Sequence, residues 1–328
     1  MSNKDITNEE VAKATEIINN LLGYYNSKVV GQPYLGCSIL VSMMTNGHIL
    51  LESVPGLAKT TAARVMTEAV NGSFSRIQCT PDLLPSDIIG TQLYNVATNT
   101  FEDKIGPVYS NFVLLDEINR SSAKTQSAML EAMQERAVSI GGKTYKLPEV
   151  FVVMATQNPI ESEGTYVLSE AQLDRFLLKE TLTYPNAVDE IEILNRVEGG
   201  IFNNSSAVAS IEDIVYLQEL CERVYIDPAI KKYIVDIVQA SRHTDKILRP
   251  ELSQYVAMGA STRAAIAFME VAKAVALMGG RRYCVPDDVK ALRYSVLRHR
   301  IMLTFAAVAD DVKPETIIDA IFASVKTP

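Results

Sequence analysis

Apolar residues recur along this chain in two different ways. In the first 185 residues, short unbroken apolar runs alternate with stretches of helical period. HILLESV at 48–54, SRIQCT at 75–80, NFVLLDE at 111–117 and VFVVMAT at 150–156 read as buried strands, and TTAARVMTEAV at 60–70 reads as a helix leaving the turn after the first of them. Alternation of this kind predicts an α/β fold, a mostly parallel sheet covered by helices on both faces. Residues 7–23 open with Thr7 and Glu10 at capping-box spacing and reach Gly23, which predicts a helix ending there. Two segments interrupt the scheme. Residues 81–110, rich in Pro, Gly and short alternating stretches such as TQLYNV, predict an insertion carrying a small hairpin; AVSIGGKTYKL at 137–147 predicts a second hairpin turning at Gly141 and Gly142. Beyond Tyr184-Pro185 the strand signals vanish and helical period dominates, as in AAIAFMEVAKAVALMGG, which ends at paired glycines. Two domains are expected, 1–185 of α/β type and 186–328 helical.

Composition narrows the class. The chain has 328 residues, 48% hydrophobic and 21% charged, with a net charge of −8, as for an ordinary folded protein whose whole surface does not attract nucleic acid or anionic lipid. The first residues lack the basic-then-apolar pattern of a signal peptide, and no apolar run approaches the roughly 18 residues of a membrane span, so a cytoplasmic location is expected. Cys37, Cys79, Cys221 and Cys284 form no CxxC pair, and His48, His243 and His299 have no metal-ligand spacing; all seven are expected to be structural.

Chemistry is concentrated in three places. The loop SVPGLAKTT at 53–61 joins a strand to a helix. Its residues Val54, Pro55, Gly56, Leu57, Ala58, Lys59, Thr60 and Thr61 suit a phosphate loop: backbone N–H groups surround phosphate oxygens, Lys59 reaches the β- and γ-phosphates of ATP, and the Thr60 hydroxyl ligates Mg²⁺. Ser53 and Ala58 stand where the general pattern has glycine, and taken alone the loop could be a plain strand–turn–helix connection. The second place, FVLLDEINR at 112–120, puts two carboxylates where a buried strand emerges: Asp116 to hold Mg²⁺ and Glu117 to polarise the attacking water. The two readings support each other. In the third, VFVVMATQNP at 150–159, Asn158 ends a neighbouring strand, where an amide could align the lytic water.

VPGLAKT, LLDEINR, MATQNP, SEAQLDRF and GASTRA, in this order and spacing, resemble the MoxR family of AAA+ ATPases over nearly the whole chain. The resemblance implies a P-loop AAA+ core followed by a smaller all-helical lid domain. It makes Arg175 an arginine finger offered to a neighbouring subunit's γ-phosphate, a role that in GTPases accelerates hydrolysis roughly 10³–10⁵-fold. It makes Arg263 a second sensor that couples hydrolysis to the lid. Ser261 or Thr262 would cap that helix, so Arg263 sits in its first turn against the dipole, which hints at an anionic partner. Gly31 and Gln32 would flank adenine. The inserts at 81–110 and 136–147 would face a client.

Three functions follow for comparison. The first is an ATP-driven, chaperone-like remodelling enzyme, assembled as a homo-oligomeric hexamer and working on a protein client, such as one with a von Willebrand factor A domain. The second is a nucleic-acid motor related to minichromosome-maintenance helicases, raised by the basic segment RRYCVPDDVKALRYSVLRHR at 281–300. The third is a nucleotide-gated scaffold that hardly hydrolyses ATP, motivated by Ser53. The acidic balance opposes the second, and the intact set of motif residues opposes the third.

Overall fold

The computed structural model describes residues 5–54, 56–158, 165–201 and 206–328. In chain order the elements are α1 (Asn8–Lys28), α2 (Pro33–Met44), β1 (Ile49–Glu52), α3 (Lys59–Ala69), β2 (Phe74–Gln78), α4 (Pro85–Ile89), β3 (Gly90–Asn95), β4 (Thr100–Ile105), β5 (Phe112–Asp116), α5 (Ala123–Glu135), β6 (Ala137–Ile140), β7 (Lys143–Lys146), β8 (Val152–Gln157), α6 (Glu170–Leu173), β9 (Leu178–Thr181) and α7 (Ala187–Glu198). There follow α8 (Ile211–Arg223), α9 (Pro228–Arg242), α10 (Thr244–Ile247), α11 (Pro250–Ser253), β10 (Val256–Met258), α12 (Thr262–Met278), β11 (Met302–Leu303) and further short helices, the last Pro314–Ser324.

The chain forms two compact units, each assembled from separate stretches. The α/β unit comprises Asn19–Leu168 and Glu180–Tyr216; the helical unit comprises the described part of Met1–Ile18, Ser169–Lys179 and Leu217–Pro328. A five-stranded sheet in the order β2-β5-β8-β1-β9 organises the first, and β2, β5, β8 and β1 pair in parallel. All five residues of β5 are buried, which is why FVLLD reads as an unbroken apolar run rather than an alternating one. The four strands expected from the sequence are present. The edge strand β9 was not foreseen, since LKET is short and polar and its pairing supplies what its pattern does not.

Both hairpins form. β3 and β4 pair antiparallel from Gly90↔Ile105 to Asn95↔Thr100, although the insert begins with α4, which was not expected. β6 and β7 turn through Gly141 and Gly142, with φ +55 and +81, the pair of left-handed residues a two-residue type I′ turn requires. The first helix starts at its capping box, where Thr7 N donates to Glu10 Oε2 at 2.7 Å and Glu10 N to Thr7 Oγ1 at 3.2 Å. It does not stop at Gly23. A glycine inside a helix costs about 1 kcal/mol, and burial of Leu21 and Tyr25 on either side outweighs it.

The helical unit is built around α12, whose alanines let neighbouring helices approach closely and whose Phe268 meets Phe322 edge-on, with centroids 6.1 Å apart. Ser261 caps α12, accepting from Arg263 N at 3.0 Å, and the helix ends at Gly279-Gly280. One departure from an all-helical unit is the two-stranded antiparallel pair β10 and β11, too short for its residues to show strand patterning. No helix among the described residues is long and apolar enough to cross a membrane.

Candidate active site

Ligands of open α/β sheets gather at the carboxyl ends of the strands, and here three strand ends converge. β1 runs into the loop that starts α3, β5 ends at Asp116, and β8 leads to Asn158. The loop, Arg76 and Gln78 of β2, Asp116 and Glu117 line one cavity of 360 Å³. A larger cavity, of 640 Å³, lies in the helical unit beside Asp174, Ser261 and Arg300 and contains no part of the loop.

The loop is shaped by left-handed residues. Gly56 has φ +85, and Ala58 adopts φ 57, ψ 21 as it caps α3, a conformation that glycine takes freely and alanine at a cost of roughly 1–2 kcal/mol. Lys59, Thr60 and Thr61 form the first turn of α3, whose unpaired N–H groups and dipole favour an anion. Leu57 is buried, so its backbone alone faces the cavity, and Val54 is half-buried. Pro55 lies outside the described residues. Ser53 is buried; its N donates to Gln157 O at 3.1 Å, whereas its hydroxyl meets no partner among the described residues.

The acidic pair is held by a residue the sequence did not single out. Thr156, buried in β8, donates from Oγ1 to Asp116 Oδ1 at 2.9 Å and accepts from Glu117 N at 2.8 Å. Glu117 is left-handed at φ 58, ψ 53, and its Oε2 accepts from Gln78 Nε2 at 3.2 Å and Arg120 Nη1 at 3.1 Å. Non-glycine residues in that region concentrate where surrounding structure holds them for function. Asp116 Oδ2 pairs with Arg76 Nη2 at 2.5 Å. Arg76 and Gln78 could have been found from SRIQC: two long polar residues at period two on a strand otherwise expected to be buried must face something polar.

The donor set fits the implied Mg²⁺. One hydroxyl (Thr60) and one carboxylate (Asp116) at one cavity are what a hard, reluctantly dehydrated cation uses, and the Arg76 guanidinium paired with Asp116 shows that the carboxylate accepts a positive partner there. Asn158 is buried one residue beyond β8, whose last pairs with β1 are Thr156↔Leu51 and Gln157↔Glu52.

The remaining predicted residues fall elsewhere. Gly31 has φ +74 before α2, and a Cβ there would stand 3.1 Å from Pro185 Cβ and 3.3 Å from Asp189 Oδ2, so glycine is required on both counts. The Gln32 amide donates to Thr183 O at 3.0 Å, and its backbone carbonyl accepts from the Tyr25 hydroxyl at 3.2 Å. Arg175 and Arg263 belong to the helical unit, where Arg263 lies 3.9 Å from Asp174, the residue before Arg175. Of the histidines and cysteines expected to be structural, His48 bridges Met133 O and Val153 N, burial drives its pKa down to about 3, and burial pushes the Cys79 thiol up to about 12.

A parallel sheet with a phosphate loop after β1, an acidic pair after β5 and a polar residue after β8 defines a P-loop nucleoside triphosphatase of the AAA class. The family described as ATPase family associated with various cellular activities (AAA) matches residues 48–178, and the AAA lid domain matches residues 251–321. The chain is 46% identical over 300 residues to Chaperone MoxR1 of Mycobacterium tuberculosis, covering 92% of this chain and 79% of that protein. It belongs to the MoxR family of AAA+ ATPases. It is also 42% identical to the uncharacterized protein YeaC of Bacillus subtilis, over 97% of this chain and 95% of that one. A crystal structure of a protein from Cytophaga hutchinsonii assigned as an ATPase superposes with a TM-score of 0.92 at 44% identity, covering 98% of this chain and 97% of the other.

Proposed function

We propose that this chain binds ATP with Mg²⁺ in the 360 Å³ cavity, hydrolyses it, and uses the cycle to remodel protein partners as a cytoplasmic ring, a hexamer by our reading. The observation that carries this is the meeting of Lys59, Thr60, Asp116 and Glu117 around one cavity at the carboxyl edge of the sheet. The α3 N-terminus and Lys59 hold the polyphosphate, Thr60 and Asp116 hold the cation, and Glu117 accepts the proton of the attacking water, which Asn158 orients. Mg²⁺, when bound, neutralises phosphate charge. Arg175 completes the centre of a neighbouring protomer, and Arg263 reads the γ-phosphate.

Client contact is assigned to the β3–β4 hairpin, where Leu93, Tyr94, Val96 and Phe101 are exposed and the Tyr94 and Phe101 rings pack tilted, with centroids 5.3 Å apart. A von Willebrand factor A domain is the partner class we expect to meet it. The nucleic-acid alternative is weakened because the basic segment is neutralised within the helical unit: Arg281 pairs with Asp288, Arg293 with Asp319, Arg298 with Glu315 and Arg300 with Asp174. The scaffold alternative is opposed by the left-handed Glu117 held at the cavity.

Calorimetric titration tests the core of the reading. Lys59→Ala should weaken ATP binding at least about 100-fold, roughly 3 kcal/mol, by removing a charge-assisted contact to phosphate. Unchanged affinity in the folded variant would refute the phosphate-loop assignment.

A further inference from the structure

The two arginines read as γ-phosphate contacts, Arg175 and Arg263, are 88 residues apart in sequence, and Asp174 links the segments that carry them. Asp174 immediately precedes Arg175. Its Oδ2 accepts from the Ser261 hydroxyl at 2.6 Å, and the same hydroxyl oxygen caps the helix that carries Arg263 in its first turn. Arg263 Nη1 lies 3.9 Å from that carboxylate oxygen. The other oxygen, Oδ1, accepts from Arg300 Nε at 2.8 Å.

Arg300 fixes the segment on both sides of Arg175. Its side chain is buried, and besides Asp174 it donates to Leu177 O at 3.0 Å, to Val296 O at 2.6 Å and to Phe176 O at 2.6 Å. His299 adds a contact to Phe176 O at 3.0 Å. Only a planar guanidinium offers enough fixed donors for this set, and a lysine at 300 could not reproduce it. A buried cation with this many partners is expensive to desolvate. Surface arginines of the same chain, such as Arg293 with Asp319, achieve pairing without that cost. Burial of Arg300 therefore calls for a role that a surface pair could not fill, which is to hold residues 174–177 in one orientation.

We infer that Asp174, Ser261 and Arg300 are positioning residues that lock the arginine finger and the second sensor into one rigid clasp, so that the contact Arg263 makes with nucleotide reorients Arg175 towards its target. The inference rests on the roles given above to Arg175 and Arg263. It adds that the two arginines move together because Asp174 belongs to the turn that carries Arg175 and is bonded to the cap of the sensor helix. The clasp also provides Arg263 with a counter-charge, Asp174, to return to when the γ-phosphate leaves.

Ser261 is the place to test it, because capping and clasping can be separated there. Ser261→Thr keeps the hydroxyl for both. Ser261→Asp keeps the cap, aspartate being as good an N-cap as serine, but sets a second carboxylate against Asp174. The 640 Å³ cavity bordering Ser261 gives it room. Ser261→Ala removes both functions without adding charge. Steady-state phosphate release, ADP affinity by calorimetry and thermal unfolding are measured on these three and on Arg175→Ala. The clasp predicts that Ser261→Asp and Ser261→Ala lower kcat tenfold or more with ADP affinity unchanged, that Ser261→Asp unfolds near the parental temperature, and that Ser261→Thr stays within about threefold of the parent. Parental kcat in Ser261→Asp or Ser261→Ala alongside an inactive Arg175→Ala overturns the clasp, as does a loss shared by Ser261→Thr. An Arg175→Ala variant as fast as the parent would instead overturn the finger assignment on which the clasp is built.

Discussion

The phosphate cavity and the cluster around Asp174 both collect charge, and they do so under opposite physical conditions. At the cavity, Lys59 and Glu117 stand half-exposed at the ends of helix and strand, and the buried Asp116 is satisfied by the Thr156 hydroxyl and by an Arg76 that is itself half-exposed. Around Asp174 the cation is buried: Arg300 is withdrawn from water and satisfied by carbonyl oxygens and one carboxylate. Burial there lowers the pKa of Arg300, and the adjacent Asp174 works against that shift. Groups of the first kind can change partners during a reaction. The buried cation of the second is fixed, because leaving the Arg300 charge unpaired inside the protein costs several kcal/mol. The cavity is thus suited to chemistry and the cluster to transmitting geometry.

The sharpest break of this comparison is chemical. Glu117→Gln should lower turnover about 10²–10⁴-fold, since an amide cannot take the proton from water, while ATP binding and the unfolding temperature stay close to parental values. Phosphate release together with calorimetry checks this; parental turnover would remove Glu117 from its role. At the cluster the response should be reversed. Arg300→Met removes the buried guanidinium, leaving half-buried Asp174 and the carbonyl oxygens of Phe176, Leu177 and Val296 without their donor, and should cost about 3 kcal/mol of stability in denaturant titration. A loss below about 1 kcal/mol, typical of an exposed pair, would show that the cluster is not the fixed element described here.

The same contrast governs how much could be read from sequence. The cavity was legible because its parts are local: VPGLAKT and LLDE each carry their chemistry within a few residues of a strand whose apolar run announces it. The capping box at Thr7 and the Gly141-Gly142 turn were legible for the same reason. Thr156, Arg76 and Gln78 were overlooked because their partners lie on other strands, 39 or 40 residues away. Arg300 sits in LRHR, which reads as a solvated basic end; only the fold brings Asp174, 126 residues earlier, against it. β9 and the continuation of α1 through Gly23 are likewise decided by burial and pairing that local propensity does not encode.

A smaller effect separates buried polar groups from the cavity by pH. His48 is neutral in the fold: one ring nitrogen donates to Met133 O and the other accepts from Val153 N, so a second proton would face a donor. Its folded pKa, about 3, lies below the unfolded value near 6.5, and between the two the unfolded chain binds more protons. Stability contributed by His48 is therefore complete above pH 6.5 and lost as pH falls towards 3, at up to about 1.4 kcal/mol per pH unit. Denaturant titrations from pH 7 to 4 should show a shallower decline for His48→Gln than for the parent. Equal slopes would mean that His48 does not stay neutral.

The central claim, that one protomer's Glu117 and another's Arg175 make a single catalytic centre, is tested most directly by mixing. Arg175→Ala protomers carry an intact Glu117 site, and Glu117→Gln protomers carry an intact finger. Each variant alone should release phosphate at no more than about a hundredth of the parental rate, and an equimolar mixture with verified subunit exchange should recover a clear fraction of parental activity. A mixture no faster than the average of its two components, with exchange complete, would contradict the account.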